Sequence, residues 1–320
     1  MNAVRLFPRL AILVLALVLP LSVPAGEIVR DYPADRITDD VYVIHGPAGY
    51  PSVENQGFMN NPAFVVTETG VVVIDPGSSL QAGRMVLKQI RAVTDKPVTH
   101  VFSTHVHGDH WLGNHAMVEA FPDAELLALS EMIRLAEASQ GEFWVNLMRN
   151  ATEGFTAGTE AVVPAQAIDV AAEMVIGGKT FRFHATHPAH STTDVMLELV
   201  EDSVVFTGDN VVYERFARMD DGSFRGNIEA CKMAEAIGAK HYVPGHGPTG
   251  GIEIAQAFRH YLETVYGEAG RLYDEGKPDY EMKPEIVAQL EAYHDWGNFE
   301  DEIGKHISLA VLEYERAMFE

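Results

Sequence analysis

A run of histidine and aspartate residues directly after an apolar segment constrains this chain more than any other feature. Residues 98–102 are apolar and β-branched, which predicts a buried strand. Four residues of metal-binding type follow it within eight positions: His105, His107, Asp109 and His110. In an extended segment, side chains two positions apart project to the same side, so His105 and His107 can bind one metal ion. Asp109 and His110, beyond the turn, can bind a second ion, and this mixture of imidazole and carboxylate suits catalytic zinc.

The first 25 residues have the pattern of a secretory signal peptide. Arg5 and Arg9 give a positively charged start, and the apolar run 10–21 is too short to span a bilayer comfortably. Ala25 fits the small-residue rule for a cleavage site, so we predict cleavage after it, with an uncleaved anchor as the alternative. No later stretch is apolar and long enough to cross a membrane. We therefore expect a soluble protein, periplasmic or secreted, with no stable membrane insertion after signal cleavage.

The charge balance limits the partners of the protein. The chain has 23 Lys and Arg against 46 Asp and Glu, a formal net charge of −23. Loss of residues 1–25 removes two arginines and no acids, which leaves 21 against 46, or −25. Such a surface repels phosphate backbones, so we expect a small-molecule substrate and no nucleic-acid or anionic-membrane partner. The single cysteine, Cys231, excludes an internal disulfide, and on a predicted helix over 227–237 it is expected to be buried.

An acid or a histidine just beyond an apolar strand recurs along the chain. The predicted hairpin of strands 63–67 and 71–75 ends in Asp75, which either orients a metal-bound histidine or caps the helix expected over 79–93. Further strands are predicted over 180–185, 203–207 and 241–243, and the loops after them carry His190, Asp209 and His246. We expect these strand ends to converge on one rim.

Two segments and a group of arginines have open roles. The loop over 46–61 carries three apolar side chains, which either line a pocket mouth or pack on the core: Tyr50, Phe58 and Met59. The segment over 140–168 has weak periodicity and either contacts substrate or forms a packing lid. Three arginines follow Asp209 and either pair with a substrate carboxylate or lie in solvent: Arg215, Arg218 and Arg225.

The last part of the chain has a helical pattern. Helices are predicted over 252–274, 283–293 and 300–319, separated by segments rich in glycine, proline and asparagine. This pattern indicates an appendage packed on the preceding domain rather than an independent domain. The predicted organisation is a signal peptide over 1–25, a main domain over 26–251 and a helical extension over 252–320.

Taken together, these motifs resemble a known superfamily. The run 105–110, the upstream Asp75, the lone His190, Gly208-Asp209 and Gly245-His246-Gly247 are similar in order and character to the five signature motifs of the metallo-β-lactamase superfamily. The resemblance covers about residues 38 to 250. It implies an α/β fold, the αββα metallo-β-lactamase sandwich, with a dinuclear metal site at one edge of the two sheets and here a helical C-terminal extension.

The resemblance also implies a role for each motif residue. The first metal ion would be bound by His105, His107 and His190, and the second by Asp109, His110 and His246. Asp209 would bridge the two ions, and Asp75 would support the site from behind. His190 lies between alanine and serine, where many members have Gly-His-Thr, and three nearby histidines compete with it for the role of ligand: His115, His184 and His187.

The activity implied by the resemblance depends on Asp209. True zinc β-lactamases usually lack a bridging aspartate here, whereas thioesterases of the glyoxalase II kind, lactonases and phosphodiesterases keep it. We therefore expect a zinc-dependent hydrolase with two Zn²⁺ ions, whose shared hydroxide attacks an acyl centre (ester, thioester, lactone or amide-like) or a phosphoester. Asp109 or Asp209 would take the proton, and β-lactam hydrolysis would be at most a side activity.

Other activities stay open alongside this one. Persulfide dioxygenases of the superfamily use one iron on the equivalents of His105, His190 and Asp209, and a zinc β-lactamase or a non-catalytic binding protein are further alternatives. The segments 221–231 and 241–248, together with the signal peptide, resemble an exported branch described as quinoprotein relay system zinc hydrolases. That branch is similar to proteins encoded near sulfur-oxidation genes.

Overall fold

Two β-sheets face each other across an apolar core, and helices cover the outer side of each sheet. The computed structural model describes residues 26–319 apart from residue 187, so the predicted signal peptide and the competing His187 lie outside the described residues. Among the described residues, no helix is both long and apolar enough to cross a bilayer.

The first sheet has seven strands in sequence order. Its strands are β1 (Asp35–Arg36), β2 (Val41–Val43), β3 (Ala63–Val66), β4 (Val71–Ile74), β5 (Val98–Phe102), β6 (Glu125–Ala128) and β7 (Gln166–Ala167). Pairing is antiparallel from β1 to β4 and parallel from β4 to β7. All four residues of β4 are buried, as expected for a valine-rich strand with both faces covered.

The second sheet has five strands in the order β12-β11-β10-β9-β8. They are β8 (Met174–Ile176), β9 (Lys179–Ala185), β10 (Val195–Leu199), β11 (Val204–Gly208) and β12 (His241–Pro244). Only β11 and β12 pair in parallel. Residues 181 and 183 of β9 alternate with the exposed Arg182, so their rings face the first sheet, where Phe102 lies 5.4 Å from Phe183 between ring centroids.

Helices form the two outer layers. On the first sheet lie α1 (Leu80–Val93), α2 (Asn114–Ala120), α3 (Ser130–Leu135) and α4 (Gly141–Ala151). On the second lie α5 (Phe224–Ile237), α6 (Ile252–Asp274), α7 (Asp279–Val287) and α8 (Phe299–Ala317). One apolar cluster joins Tyr242 of β12 to Phe258 of α6 and Ile303 of α8, so the last three helices share the core of the second sheet. Cys231 is buried in α5, as predicted, and burial raises the pKa of its thiol.

The predicted fold class, an αββα sandwich with a helical C-terminal extension, is confirmed. The helix predicted over 283–293 is wrong: α7 begins at Asp279 after Pro278, ends at Val287, and a separate 3₁₀ turn covers Glu291–Tyr293. Pro284 resembles a first helical position in sequence, but here it lies within a helix that already began one turn earlier. A helix, α4, also occupies the segment of weak periodicity, because a π-helical turn over Ala136–Gln140 continues α3 into it.

Candidate metal centre

The predicted metal-binding residues meet at one edge of the two sheets. Asp75 follows β4, the run 105–110 follows β5, and His190 lies between β9 and β10. Asp209 and His246 follow the neighbouring parallel strands β11 and β12. Possible ligand atoms lie within 4.8 Å of one another in three overlapping clusters: His105, His107 and His190; His105, His110 and Asp209; and Asp109, His110 and His246.

The first of these clusters contains three histidines. His190 Nε2 lies 3.0 Å from His107 Nδ1, and the ring centroid of His105 lies 4.7 Å from that of His107. His105 is completely buried, and its Nε2 has no hydrogen-bond partner. Three ring nitrogens thus face a common point, and none of them is committed to a backbone group.

Asp209 lies between the first cluster and the cluster of Asp109, His110 and His246. Its Oδ2 is 3.4 Å from Nε2 of both His190 and His246, and its Oδ1 is 3.4 Å from His110 Nε2. His246 Nε2 also lies 3.1 Å from Asp109 Oδ2. The Asp209 carboxylate is therefore in contact with histidines of both clusters, the position that a bridging ligand needs.

Gly245 makes this approach of Asp209 possible. A Cβ atom at position 245 would lie 2.0 Å from Asp209 Oδ1. A side chain there would displace the carboxylate, which explains a glycine directly before His246 in purely steric terms.

Asp75 fixes the start of the segment that carries the run 105–110 and orients His110 within it. Its Oδ1 accepts a hydrogen bond from the Thr104 backbone amide and its Oδ2 one from the Thr104 hydroxyl, both at 2.8 Å. Oδ2 also lies 2.7 Å from His110 Nδ1, which directs the opposite nitrogen, Nε2, to the centre. Helix capping, the alternative role for Asp75, belongs instead to Ser79, whose side chain accepts from the Ala82 amide. Asp75 adopts the left-handed region at φ 51°, an unusual conformation for a non-glycine residue.

A residue absent from the predicted set, Asp221, contacts His107. Its Oδ2 lies 3.2 Å from His107 Nε2, so a proton on that nitrogen leaves Nδ1 free to face His190. The contact lowers the pKa of the Asp221 carboxyl. Nothing in the sequence around Asp221 distinguishes it from the adjacent Asp220, because the contact joins residues 114 positions apart.

Replacement of Asp221 by asparagine is expected to weaken metal binding. Removing the carboxylate that orients a ligand histidine typically costs about 10- to 100-fold in metal affinity. Competition with a chromophoric chelator measures the zinc affinity of Asp221→Asn and of the control Asp220→Asn, whose carboxylate pairs with Arg218 rather than with a histidine. Equal affinities of the two variants would contradict the role of Asp221.

Burial and the neighbouring charges set the protonation states of the candidate ligands in the absence of a metal ion. Burial lowers the pKa of His190 to about 3, against the attraction of Asp209. Burial raises the pKa of Asp109 and Asp209, but the adjacent histidines outweigh it and hold both well below the usual range. Burial also lowers the pKa of His110, and here the surrounding carboxylates outweigh it and raise the pKa well above the usual value. His110 is therefore held protonated by the three carboxylates around it, and a bound cation would take the place of that proton.

The donor set fits metal ions. His105 Nε2, His110 Nε2 and Asp209 Oδ1 are buried and have no hydrogen-bond partner, which is costly for polar atoms unless a ligand satisfies them. All three belong to the clusters at the centre. Imidazole nitrogens with carboxylate oxygens suit zinc and also non-haem iron.

A small cavity of about 160 Å³ opens beside the clusters. Its walls include the metal-site residues His107, Asp109, His190, Asp209 and His246, and also Tyr50, Pro51, Met59, Trp144, Leu147, Arg215, Ala217 and Arg218. Both segments whose roles the sequence left undecided therefore contribute to the cavity wall. The loop over 46–61 provides Tyr50 and Met59, and α4 provides Trp144. Phe58 packs in the core instead, so the two alternatives for that loop both apply, to different side chains.

Of the remaining candidates, His184, His115 and Arg225 lie away from the cavity, and only Arg218 lines it. His184 pairs with Glu198 at 2.9 Å, and His115 Nδ1 accepts a hydrogen bond from the Glu160 amide, so neither takes the place of His190. Arg225 lines a separate groove between α5 and α8. Arg218, about half exposed, pairs with Asp220 at the rim.

The chain belongs to the metallo-beta-lactamase superfamily, whose sequence model matches residues 56–246. Lactamases and alkylsulfatases, which are hydrolytic metalloenzymes, are among the proteins to which this chain is similar. The Beta-lactamase-like protein 2 homolog of Caenorhabditis elegans is 23% identical over 219 residues, which are 68% of this chain and 64% of that protein. A Linear primary-alkylsulfatase of Pseudomonas sp. (strain ATCC 19151) is 39% identical over 49 residues, 15% of this chain and 9% of that protein. The chain thus spans less than two thirds of the length of these curated relatives.

Solved structures show the same fold at low sequence identity. A metallo-beta-lactamase from Pontibacter korlensis has a TM-score of 0.59 at 18% identity. The match covers 73% of this chain and 99% of the lactamase chain. The sec-alkylsulfatase Pisa1 from Pseudomonas sp. has a TM-score of 0.68 at 16% identity. The match covers 88% of this chain and 50% of the sulfatase chain. At these identities the likeness establishes the fold alone.

Proposed function

We propose that the protein is a hydrolase with two Zn²⁺ ions that cleaves a small acyl or phosphoester compound, with β-lactams at most as side substrates. One observation carries the proposal: the Asp209 carboxylate contacts His190 of the first cluster and both His110 and His246 of the other, as a ligand between two metal ions would. His105, His107 and His190 would hold one ion, and Asp109, His110 and His246 the other, with Asp209 between them.

Besides holding the metal ions, the chain's own residues would have two tasks in this reaction. Bound zinc would supply Lewis acidity, lowering the pKa of water toward neutrality and stabilising negative charge on the substrate oxygen. Asp75 and Asp221 orient His110 and His107. Asp109 or Asp209, both ionised, would accept the proton released as water adds to the acyl or phosphoryl centre.

The cavity limits what can reach the site. Trp144 and Leu147 of α4 and Met59 of the loop over 46–61 provide an apolar wall beside the metal centre. The volume suits a small substituent next to the scissile bond rather than a polymer. A sulfate ester is a second candidate, because the likeness to the alkylsulfatase Pisa1 covers 88% of the chain and extends beyond the segment that the family model matches.

Elemental analysis followed by a substrate panel tests the proposal. We expect about two zinc ions per chain in protein purified from the periplasm. We also expect turnover of at least one class among esters, thioesters, lactones, phosphodiesters and alkyl sulfates. One iron per chain with oxygen uptake from a persulfide would favour the dioxygenase alternative instead. Zinc-loaded protein that is inert on the whole panel would contradict the proposal.

The proposal includes export. The pattern of residues 1–25 and the resemblance of residues 221–231 to the exported zinc hydrolases near sulfur-oxidation genes support a periplasmic or secreted location. Cell fractionation of the full chain and of a chain that begins at Gly26 measures it. We expect only the full chain outside the cytoplasm, and equal distribution of the two would contradict export.

A further inference from the structure

A carboxylate of the C-terminal extension caps the start of α5. Glu313 of α8 accepts hydrogen bonds from the backbone amides of Phe224 and Arg225, at 2.6 and 3.1 Å. It also accepts one from the hydroxyl of Ser223, at 2.9 Å. Ser223 already caps this helix locally, because its hydroxyl accepts from the Gly226 amide. The first turn of α5 has no acidic residue of its own, so Glu313 provides the negative charge that a helix N-terminus favours.

The segment just before this cap also contacts the metal centre. Asp221, two positions before Ser223, faces His107 Nε2 at 3.2 Å. The Ser223 amide donates a hydrogen bond of 2.8 Å to the carbonyl oxygen of Ala189, which directly precedes His190. Residues 221–223 are therefore held both by contacts with the first ligand cluster and by the contact with α8.

The position of Asp221 depends on this support of the backbone. Its side chain is 61% exposed, so packing alone does not fix the carboxylate. Holding an exposed side chain in one place costs conformational entropy, and a backbone that is already fixed reduces this cost. At Gly222 a Cβ atom would lie 2.4 Å from the Ala189 carbonyl oxygen, so the chain packs directly against that loop. The hydrogen bonds of Glu313 fix the same stretch from α8.

We infer that Glu313 is a positioning residue of the metal centre. By fixing residues 221–223 it holds Asp221 against His107, which keeps the His107 proton on Nε2 and leaves Nδ1 free for the first metal ion. A partner that fixes the tautomer and the direction of a histidine ring strengthens metal binding. The inference rests on the metal centre of the proposed function but not on its hydrolytic activity. It assigns the helical extension a part in metal binding, although Glu313 lies beyond residue 246, where the match to the family model ends.

Zinc affinities in a double-mutant cycle test the inference. Competition with a chromophoric chelator is expected to show about three- to tenfold weaker zinc binding by Glu313→Ala, a part of the loss expected for Asp221→Asn. Glu313→Gln keeps one oxygen that can accept hydrogen bonds and is expected to recover part of the affinity. In the Asp221→Asn background, Glu313→Ala is expected to change the affinity by less than about twofold, because both residues act through one contact. Losses that multiply in the double variant would overturn the inference.

Glu315→Ala is the matched control. Glu315 lies on the same helix, but it accepts a hydrogen bond from the Tyr273 hydroxyl of α6, so its loss is expected to leave zinc affinity unchanged. Thermal unfolding and circular dichroism of each variant accompany the affinity measurements. Glu313→Ala is expected to have a lower Tm than the parent, because α5 loses a cap. A lower Tm with unchanged zinc affinity would assign Glu313 a purely structural role.

Nuclear magnetic resonance of the metal-free protein separates the inference from the proposed function. The nitrogen chemical shifts of the His107 ring report which of its two nitrogens carries the proton. We expect the proton on Nε2 in the parent, and a mixture of both tautomers in Glu313→Ala and in Asp221→Asn. If the parent hydrolyses no substrate, the proposed function fails, and the tautomer and the zinc affinity still decide the role of Glu313. The parent tautomer in Glu313→Ala would refute the inference.

Discussion

Replacement of His105 by alanine is expected to abolish metal binding and turnover together. His105 belongs to two of the three ligand clusters, and its buried Nε2 has no protein partner to replace a lost metal bond. For comparison, removing one hydrogen-bond donor that stabilises the negative charge of a transition state costs about 10²- to 10³-fold in rate. Loss of a ligand shared between clusters should cost at least that much. Elemental analysis and turnover of the same preparation measure both effects.

The control for this variant is His184→Ala. His184 is an imidazole of β9 that pairs with Glu198, away from the cavity, so its loss is expected to leave zinc content and turnover unchanged. Far-ultraviolet circular dichroism checks that both variants are folded. Full zinc content with full activity in His105→Ala would refute the assignment of the centre.

Acidification is expected to destabilise the helical extension through His306 of α8. His306 is 1% exposed, and burial lowers its pKa to about 4, against the attraction of Glu302 on the same helix. The ring is satisfied when neutral: Nε2 lies 3.1 Å from the Ala217 carbonyl oxygen, and Nδ1 lies 2.8 Å from the Tyr261 hydroxyl of α6. The other charged groups that act on the ring are Asp220 and Lys305.

The direction of the pH effect follows from linkage. Between about pH 6.5 and pH 4 the unfolded chain binds a proton at His306 that the folded chain does not bind, so the free energy of unfolding falls as pH falls. A difference of roughly two and a half pKa units corresponds to about 3 kcal/mol, present above pH 6.5 and lost by about pH 4. Urea unfolding at several pH values, compared between the parent and His306→Gln, isolates this contribution. His294→Gln, an exposed histidine, is the control, and identical pH profiles of all three proteins would contradict the prediction.

The fold class could be predicted from the sequence because the motifs resemble those of the metallo-β-lactamase superfamily, and the candidate ligands could be located because they directly follow apolar strands. Strands such as β5 and β10 are apolar runs with sharp ends, and polar side chains just beyond neighbouring strand ends necessarily meet at one edge of a sheet. Asp221 was missed because its role depends on a contact between distant loops. The roles of Arg215 and Trp144 could not be decided, because burial in a cavity depends on how α4 and the loop over 46–61 pack against the centre.

One contact across the molecule concerns the cavity itself. The Tyr50 hydroxyl, on a cavity wall, donates a hydrogen bond to Glu302 of α8, a residue 252 positions later in the chain. Glu302 lies beyond residue 246, where the match to the family model ends. The shape of the entrance therefore depends in part on a helix that lies outside the motif-bearing segment, so the metal ligands alone do not determine which compounds can enter.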